Sequence, residues 1–125
     1  GKGLHVVTPL EPKAGWAKVK NFAKKLATDM GKDEPDKYLA VATKAKRNGR
    51  IFVDYLRNGR GSTAVAPYST RARAGATVSM PLEWSELSKI KGPAAFTVKN
   101  TPAHIEARKS DPWADFRASA KPLPG

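Results

Sequence analysis

The sequence contains no cysteine, so disulfides and thiolate metal sites are both excluded. That absence is compatible with a reducing compartment without requiring one. No apolar run approaches the ~18 residues that a membrane-spanning helix needs, and no signal peptide is visible. Histidine is scarce, with His5 and His104 alone. The motifs H-E-x-x-H, G-x-S-x-G and the glycine-rich dinucleotide fingerprint are all missing, which leaves hydrolase and dehydrogenase readings without support. There is no internal repeat and no low-complexity block. Acidic residues are also few: 11 Asp and Glu stand against 23 Lys and Arg.

What is present is a basic, foldable chain. Its 125 residues form one domain or part of one, and a hydrophobic fraction of 40% argues against disorder. The formal net charge is +12 and the isoelectric point is near 10.2. Such an excess favours polyanionic partners: nucleic acid first, nucleotide phosphates second, acidic membrane surfaces third. Basicity kept for solubility is the competing explanation. The chain opens "GKGLHVVTPL" without Met, and "LHVV" reads as a strand closed by Pro9. Domains rarely begin inside an element, so a segment preceding Gly1 is expected.

Periodicity gives the order of elements. In "WAKVKNFAKKLATDMG", Trp16, Val19, Phe22, Ala23, Leu26 and Met30 share one helical face, with Gly31 as the stop. The segment "KDEPDKYLAVATKAKRNG" reads as a second helix, capped by Asp33 and ended by Asn48-Gly49. "RIFVDYL" reads as a central strand covered on both faces. "TAVAPYSTRARAG" is a short helix or an irregular turn, since Pro67 interrupts it. "ATVSM" and "AAFTV" are short strands, and "LEWSELSKI" is a short helix. "TPAHIEARKS" is a helix with Thr101 as N-cap and Pro102 first inside it. "DPWADFRA" adds a further turn or two, and 119–125 is a linker-like tail. The three tryptophans, Trp16, Trp84 and Trp113, fall at amphipathic spacing and are expected in the core. The sum is a mixed α/β or α+β layer structure.

Few residues stand out chemically. Ten of the eleven carboxylates lie in polar loops or on helices; Asp54 alone interrupts an apolar run, "IFVDYL". An ionised carboxylate there needs compensation. Either an arginine pairs with it, or it ligates a hard divalent ion such as Mg²⁺ or Mn²⁺. Arg57, Arg60, Arg71 and Arg73 follow it. Arg71 and Arg73 would project on the same side of an extended chain, and guanidinium groups grip phosphate oxygens bidentately. A solvated basic loop is the plainer alternative. Lys2 between two glycines permits close approach of an anion, and His5 could donate a hydrogen bond to phosphate, although "GKGLH" falls well short of a Walker A loop. His104 has no partner at metal-ligand spacing and receives no catalytic role.

Together, "GKGLHVVTPL", "IFVDYLRN", "APYSTRARAGATVSMPL" and "FTVKNTPAHIEARKSDPW" resemble the polymerase domain of bacterial ATP-dependent DNA ligase D, in the archaeo-eukaryotic primase superfamily. The similarity runs from Gly1 to about Arg117 and corresponds to the C-terminal half of that domain, with 1–118 assigned to it. The resemblance implies an RRM-like mixed sheet flanked by helices and a nucleotidyltransferase active at DNA ends in non-homologous end joining. It implies Mg²⁺ or Mn²⁺ as cofactor. Its partners would be ribo- or deoxyribonucleoside triphosphates, the end-binding protein Ku, and ligase or nuclease domains, all in the bacterial cytoplasm at the nucleoid. By the same resemblance Lys2 and His5 hold the triphosphate, Asp54 is the third acid of a two-metal site, and Arg57, Arg71 and Arg73 contact phosphates or active-site groups. The family's paired aspartates, and the serine that usually precedes "GKG", have no counterpart here. The chain alone is therefore expected not to extend DNA. A basic DNA-binding module without catalysis, or the remnant of a truncated gene, are the alternatives.

Overall fold

A computed structural model describes residues 3–42 and 48–124. The chain divides into two compact units, Glu11–Ala64 with Pro122–Gly125, and Gly1–Leu10 with Val65–Lys121. The secondary structure is mixed α/β, as the order of elements implied.

The first of these units is built on helix α1, Trp16–Asp33. Ala27 on its inner face is fully buried. The helix runs past Gly31 because nothing there requires a left-handed residue. It ends at Glu34, whose N–H still donates to the Met30 carbonyl and whose position before Pro35 is sterically barred from continuing. The expected second helix is absent where the chain is described. Lys37 and Tyr38 donate to the Glu34 carbonyl in a turn, and Tyr38–Leu39 then forms strand β1. Residues 43–47 of that expected helix lie outside the described residues.

Strand β1 pairs in parallel with β2, Ile51–Phe52, with Tyr38 opposite Ile51 and Leu39 opposite Phe52. The ladder continues only as far as the Val53 N–H, which donates to the Leu39 carbonyl. The central strand expected from "RIFVDYL" is thus two residues long, and its faces are unequal. Phe52 is half-buried, opposite the buried Leu39, whereas Ile51 is 63% exposed. An apolar run marks a willingness to be buried, but the available pairing partner sets how much strand forms.

In the other unit, Thr77–Val78 lies between two neighbours. An antiparallel bridge joins Thr70 to Val78, and a second joins Thr77 to Thr97. "ATVSM" and "AAFTV", each expected as a short strand, meet here only through an isolated bridge. The opening "LHVV" is irregular, and only Leu10 pairs, in a parallel bridge to Lys121. A 3-10 turn covers Trp84–Glu86, and helix α2 spans Thr101–Ala107. Asn100, one residue earlier than expected, occupies the cap position. Its Oδ1 accepts from the Thr97 N–H at 2.8 Å and its Nδ2 donates to the Ala95 carbonyl at 2.9 Å. Phe96 is buried and meets His104 edge-on at 5.0 Å, so His104 has a structural place.

The tryptophans depart from expectation. Trp16 and Trp84 are 60% and 74% exposed, the first at the N-terminal end of α1 and the second on a three-residue 3-10 turn. Only Trp113 is half-buried, stacked on Phe116 at 4.9 Å. Burial should sort the consequences of truncation. Leu39→Ala is expected to cost about 2–3 kcal/mol, whereas Ile51→Ala should stay within about 0.5 kcal/mol. Urea unfolding followed by circular dichroism would check both.

Candidate functional site

Asp54 follows β2 and lies outside the ladder. Its side chain is exposed, and Oδ1 accepts the N–H of Leu56 at 2.9 Å, which opens the 3-10 turn Leu56–Asn58. This is an Asx turn, a usual reason for Asp at a strand end. The apolar surroundings read from "IFVDYL" are therefore not realised within this unit, and among the described residues no arginine pairs with Asp54. Arg57 instead donates from Nη1 to the carbonyl and Oγ1 of Thr63, at 3.0 and 3.1 Å, bracing the loop that holds Arg60. Arg60 is exposed.

Two of the residues singled out from the sequence converge in the Gly1–Leu10 and Val65–Lys121 unit. His5 and Arg71 both line a cavity of about 180 Å³, whose walls include Thr77, Pro81, Phe96 and Trp113. Arg71 is half-buried, and its side chain has no hydrogen bond or ion pair among the described residues. Lys2 lies outside the described residues.

The segment that carries Arg71 is fixed by its backbone. Tyr68 donates its N–H to the Ser79 carbonyl at 2.6 Å, Ser79 donates to Ser69 at 2.9 Å, and Arg71 donates to Thr77 at 2.7 Å. The chain then folds tightly. Arg73 N–H reaches the Arg71 carbonyl at 2.8 Å, Ala76 N–H reaches the Arg73 carbonyl, and Gly75 takes φ +86°. The "RAR" segment is consequently a turn, and the extended arrangement with both arginines on one side does not occur. Arg71 lines the cavity, whereas Arg73 is exposed outside it.

A second polar cluster had no sequence signal. Arg108 is largely buried, donating from Nη2 to the Pro81 carbonyl at 2.8 Å and to both Glu86 carboxylate oxygens at 3.2–3.3 Å. Glu86 Oε1 also accepts the Glu83 N–H. Burial works against the Glu86 anion, but the Glu83 amide and Arg108 outweigh it and hold its carboxyl below the usual range. Asp111 accepts the Trp113 N–H and the Tyr68 hydroxyl, at 3.0 and 2.7 Å, and both lower its pKa. Partial burial and the bond to Asp111 raise that of Tyr68. Tyr68 holds φ +64°, an uncommon conformation for a bulky residue, and its two bonds keep it there.

The Arg108–Glu86 and Tyr68–Asp111 partners are far apart in sequence, so only the Glu83-x-x-Glu86 and Asp111-x-Trp113 contacts could have been read locally. The pH consequence follows in sign. Both carboxylates are depressed, so their stabilisation is present above the ordinary carboxylate pKa of about 4 and is lost as pH falls through the lowered folded values. Acid titration of thermal stability should show a falling limb below about pH 4, shallower in Glu86→Gln and Asp111→Asn.

Among the described residues no three His, Cys, Asp or Glu side chains gather in a way that could hold a metal ion. Asp54, with one oxygen already committed to Leu56, does not fit a divalent centre by itself. No described helix is long and apolar enough to cross a membrane.

Comparison with known proteins agrees with the sequence motifs. The family described as LigD, primase-polymerase domain matches residues 1–113. The multifunctional non-homologous end joining protein LigD of Pseudomonas aeruginosa is 42% identical over 117 residues, which cover 93% of this chain and 14% of that protein. The bifunctional LigD of Bacillus subtilis is 29% identical over 116 residues, 92% of this chain and 19% of its own length. Among solved structures, the polymerase domain of Mycobacterium tuberculosis ligase D in complex with DNA superposes with a TM-score of 0.77 at 29% identity. That match covers 90% of this chain and 38% of the other. The chain thus spans well under half of these relatives, with a shared fold throughout the matched region. It belongs to the LigD primase-polymerase domain family.

Proposed function

We propose that this chain forms part of a primase-like polymerase domain that adds nucleotides to DNA ends during bacterial non-homologous end joining. The observation that carries the reading is the cavity lined by both His5, from "GKGLH", and Arg71, from "RAR", whose guanidinium has no acid paired to it among the described residues. A half-buried cation without a counter-charge is poised for an anion, and phosphate oxygens suit both a guanidinium and an imidazole N–H. Lys2, of the same "GKGLH" motif, is assigned to the triphosphate by the family resemblance. The family motifs assign phosphate contacts also to Arg73, exposed on the same turn as Arg71, and, in the other unit, to Arg57.

Asp54 is assigned as one metal-ligating carboxylate. Mg²⁺ or Mn²⁺, when bound, would neutralise the triphosphate. Further carboxylates are needed beyond the single one described here, because hard ions take about six oxygen ligands. The remaining partners belong to the same reading: DNA ends, ribo- or deoxyribonucleoside triphosphates, and Ku with ligase or nuclease domains. So do the boundary near residue 118 and a cytoplasmic, nucleoid-associated location.

A second reading, a basic DNA-binding module without catalysis, is favoured by the lack of a metal-holding cluster among the described residues. Titration with a nucleoside triphosphate separates the two. The first expects saturable binding weakened at least about tenfold by Arg71→Ala, the loss of a charge-assisted pair. Salt-sensitive DNA binding with no triphosphate binding would support the second. In primer extension with Mn²⁺ and ribonucleotides on a recessed duplex, the chain alone is expected to give no product. Synthesis that Asp54→Ala abolishes would refute the requirement for further carboxylates.

A further inference from the structure

We infer that three lysines on the outer face of α1 dock the phosphate backbone of duplex DNA, an assignment that rests on the DNA-end reading above and gives it a surface. Lys18, Lys25 and Lys32 are spaced seven residues apart. Seven residues of α-helix fall only about 20° short of two full turns, so the three ammonium groups form one nearly straight row. At 1.5 Å per residue the row advances ~10.5 Å between members and ~21 Å from end to end.

All three side chains are exposed, and they lie across the helix from Ala27, which is buried against the rest of its unit. Lys20 is different: it is half-buried and lies beside Gly59. The row is thus separate from both the packed side of the helix and from Asp54. Among the described residues Lys18 and Lys32 form no ion pair. Lys25 is bound to Asp29 at 2.8 Å, and that hydrogen bond, with the attraction of Asp29, raises its pKa and keeps it cationic.

The spacing selects the ligand. Cations spread over ~21 Å cannot converge on one phosphate group, so a free nucleotide or inorganic phosphate would engage one lysine at most. Duplex DNA carries a phosphate charge about every 1.7 Å of its axis, so each member of the row finds a partner along the same molecule. Lysine suits this task because a flexible point charge needs no fixed geometry and reads no sequence. Asp29, the acid beside the row, opposes the contact. Its pKa is lowered through Lys25 and Lys32, so it stays ionised.

The test is binding of the whole chain to a blunt duplex by fluorescence anisotropy, repeated across a salt series. Removing three phosphate contacts should lower the magnitude of the slope of log K against log salt by about 2.7. The variant is Lys18→Gln, Lys25→Gln, Lys32→Gln, and its affinity at about 0.1 M salt should fall at least tenfold. A control variant carries Lys89→Gln, Lys91→Gln and Lys109→Gln, which remove the same charge from exposed positions elsewhere. It should retain most of the slope. Asp29→Asn should tighten binding by roughly threefold, as expected for a surface carboxylate.

An unchanged slope in the row variant, or an equal loss in the control, would overturn the assignment while leaving the DNA reading intact. No duplex binding by the unaltered chain would overturn the DNA reading and this inference with it. Row-dependent binding to vesicles of anionic lipid with none to the duplex would assign the face to a membrane surface and overturn the inference likewise.

Discussion

The strand-like pair Thr77–Val78 is the constraint on which the candidate phosphate site depends. Its backbone is used on both sides, by Arg71 N–H on one and by the Phe96 carbonyl on the other. Neither neighbour forms a regular strand, so these few bonds join the segments that line the cavity. Each bond contributes about 1 kcal/mol net, but an unmade one in a half-buried setting costs more. Arg71 is held as a consequence of this pairing, through its own N–H, with the guanidinium left uncommitted. A residue positioned by its backbone can present an unpaired side chain to a ligand.

Arg108 is the opposite case. Its guanidinium is committed to the Pro81 carbonyl and to Glu86, and it ties the turn at Trp84–Glu86 to the end of α2. Tyr68 and Asp111 fasten the start of the Arg71 segment to the same region. Charge in this unit therefore divides into a structural arginine with partners and a candidate binding arginine without them. Residue type does not distinguish the two; the counter-charge does. Arg57 falls between them, because its bonds to Thr63 stabilise a loop without neutralising it.

This division also explains what could be read from sequence. The helix beginning at Trp16 follows from periodicity, which acts locally, although it runs on to Asp33 past the stop expected at Gly31. For "TAVAPYSTRARAG" Pro67 left a short helix or an irregular turn open, and the turn is found. The helix once expected through Tyr38–Leu39 failed because parallel pairing with Ile51–Phe52 outweighs weak helical periodicity there. Asp54 looked like a buried acid because four of its neighbours in "IFVDYL" are apolar; the short ladder leaves it at a strand end, where it caps a turn. The Arg108–Glu86 and Tyr68–Asp111 bonds join residues 22 and 43 positions apart, and no local pattern encodes such pairs. The convergence of His5 with Arg71 was legible only through the motifs that carry the family resemblance.

The surplus of cations ties these observations to function. Eleven acids cannot serve 23 Lys and Arg, and the ion pairs present are mostly short-range, Lys13 with Glu11, Lys25 with Asp29, and Lys37 with Glu34. Such exposed pairs stabilise little, so the acids are not a reservoir of stability that the fold requires. Glu86, among the described residues the one acid bound to a largely buried arginine, is the exception. Most of the positive charge is therefore left for solvent or for a ligand. It is also unevenly placed: Arg71 faces a cavity, whereas the α1 lysines face outward in a row. A compact anion can satisfy the first arrangement and only an extended one the second. A nucleotide and a DNA strand are anions of these two shapes, and in the reading proposed for this chain the cavity is assigned to the first and the lysine row to the second.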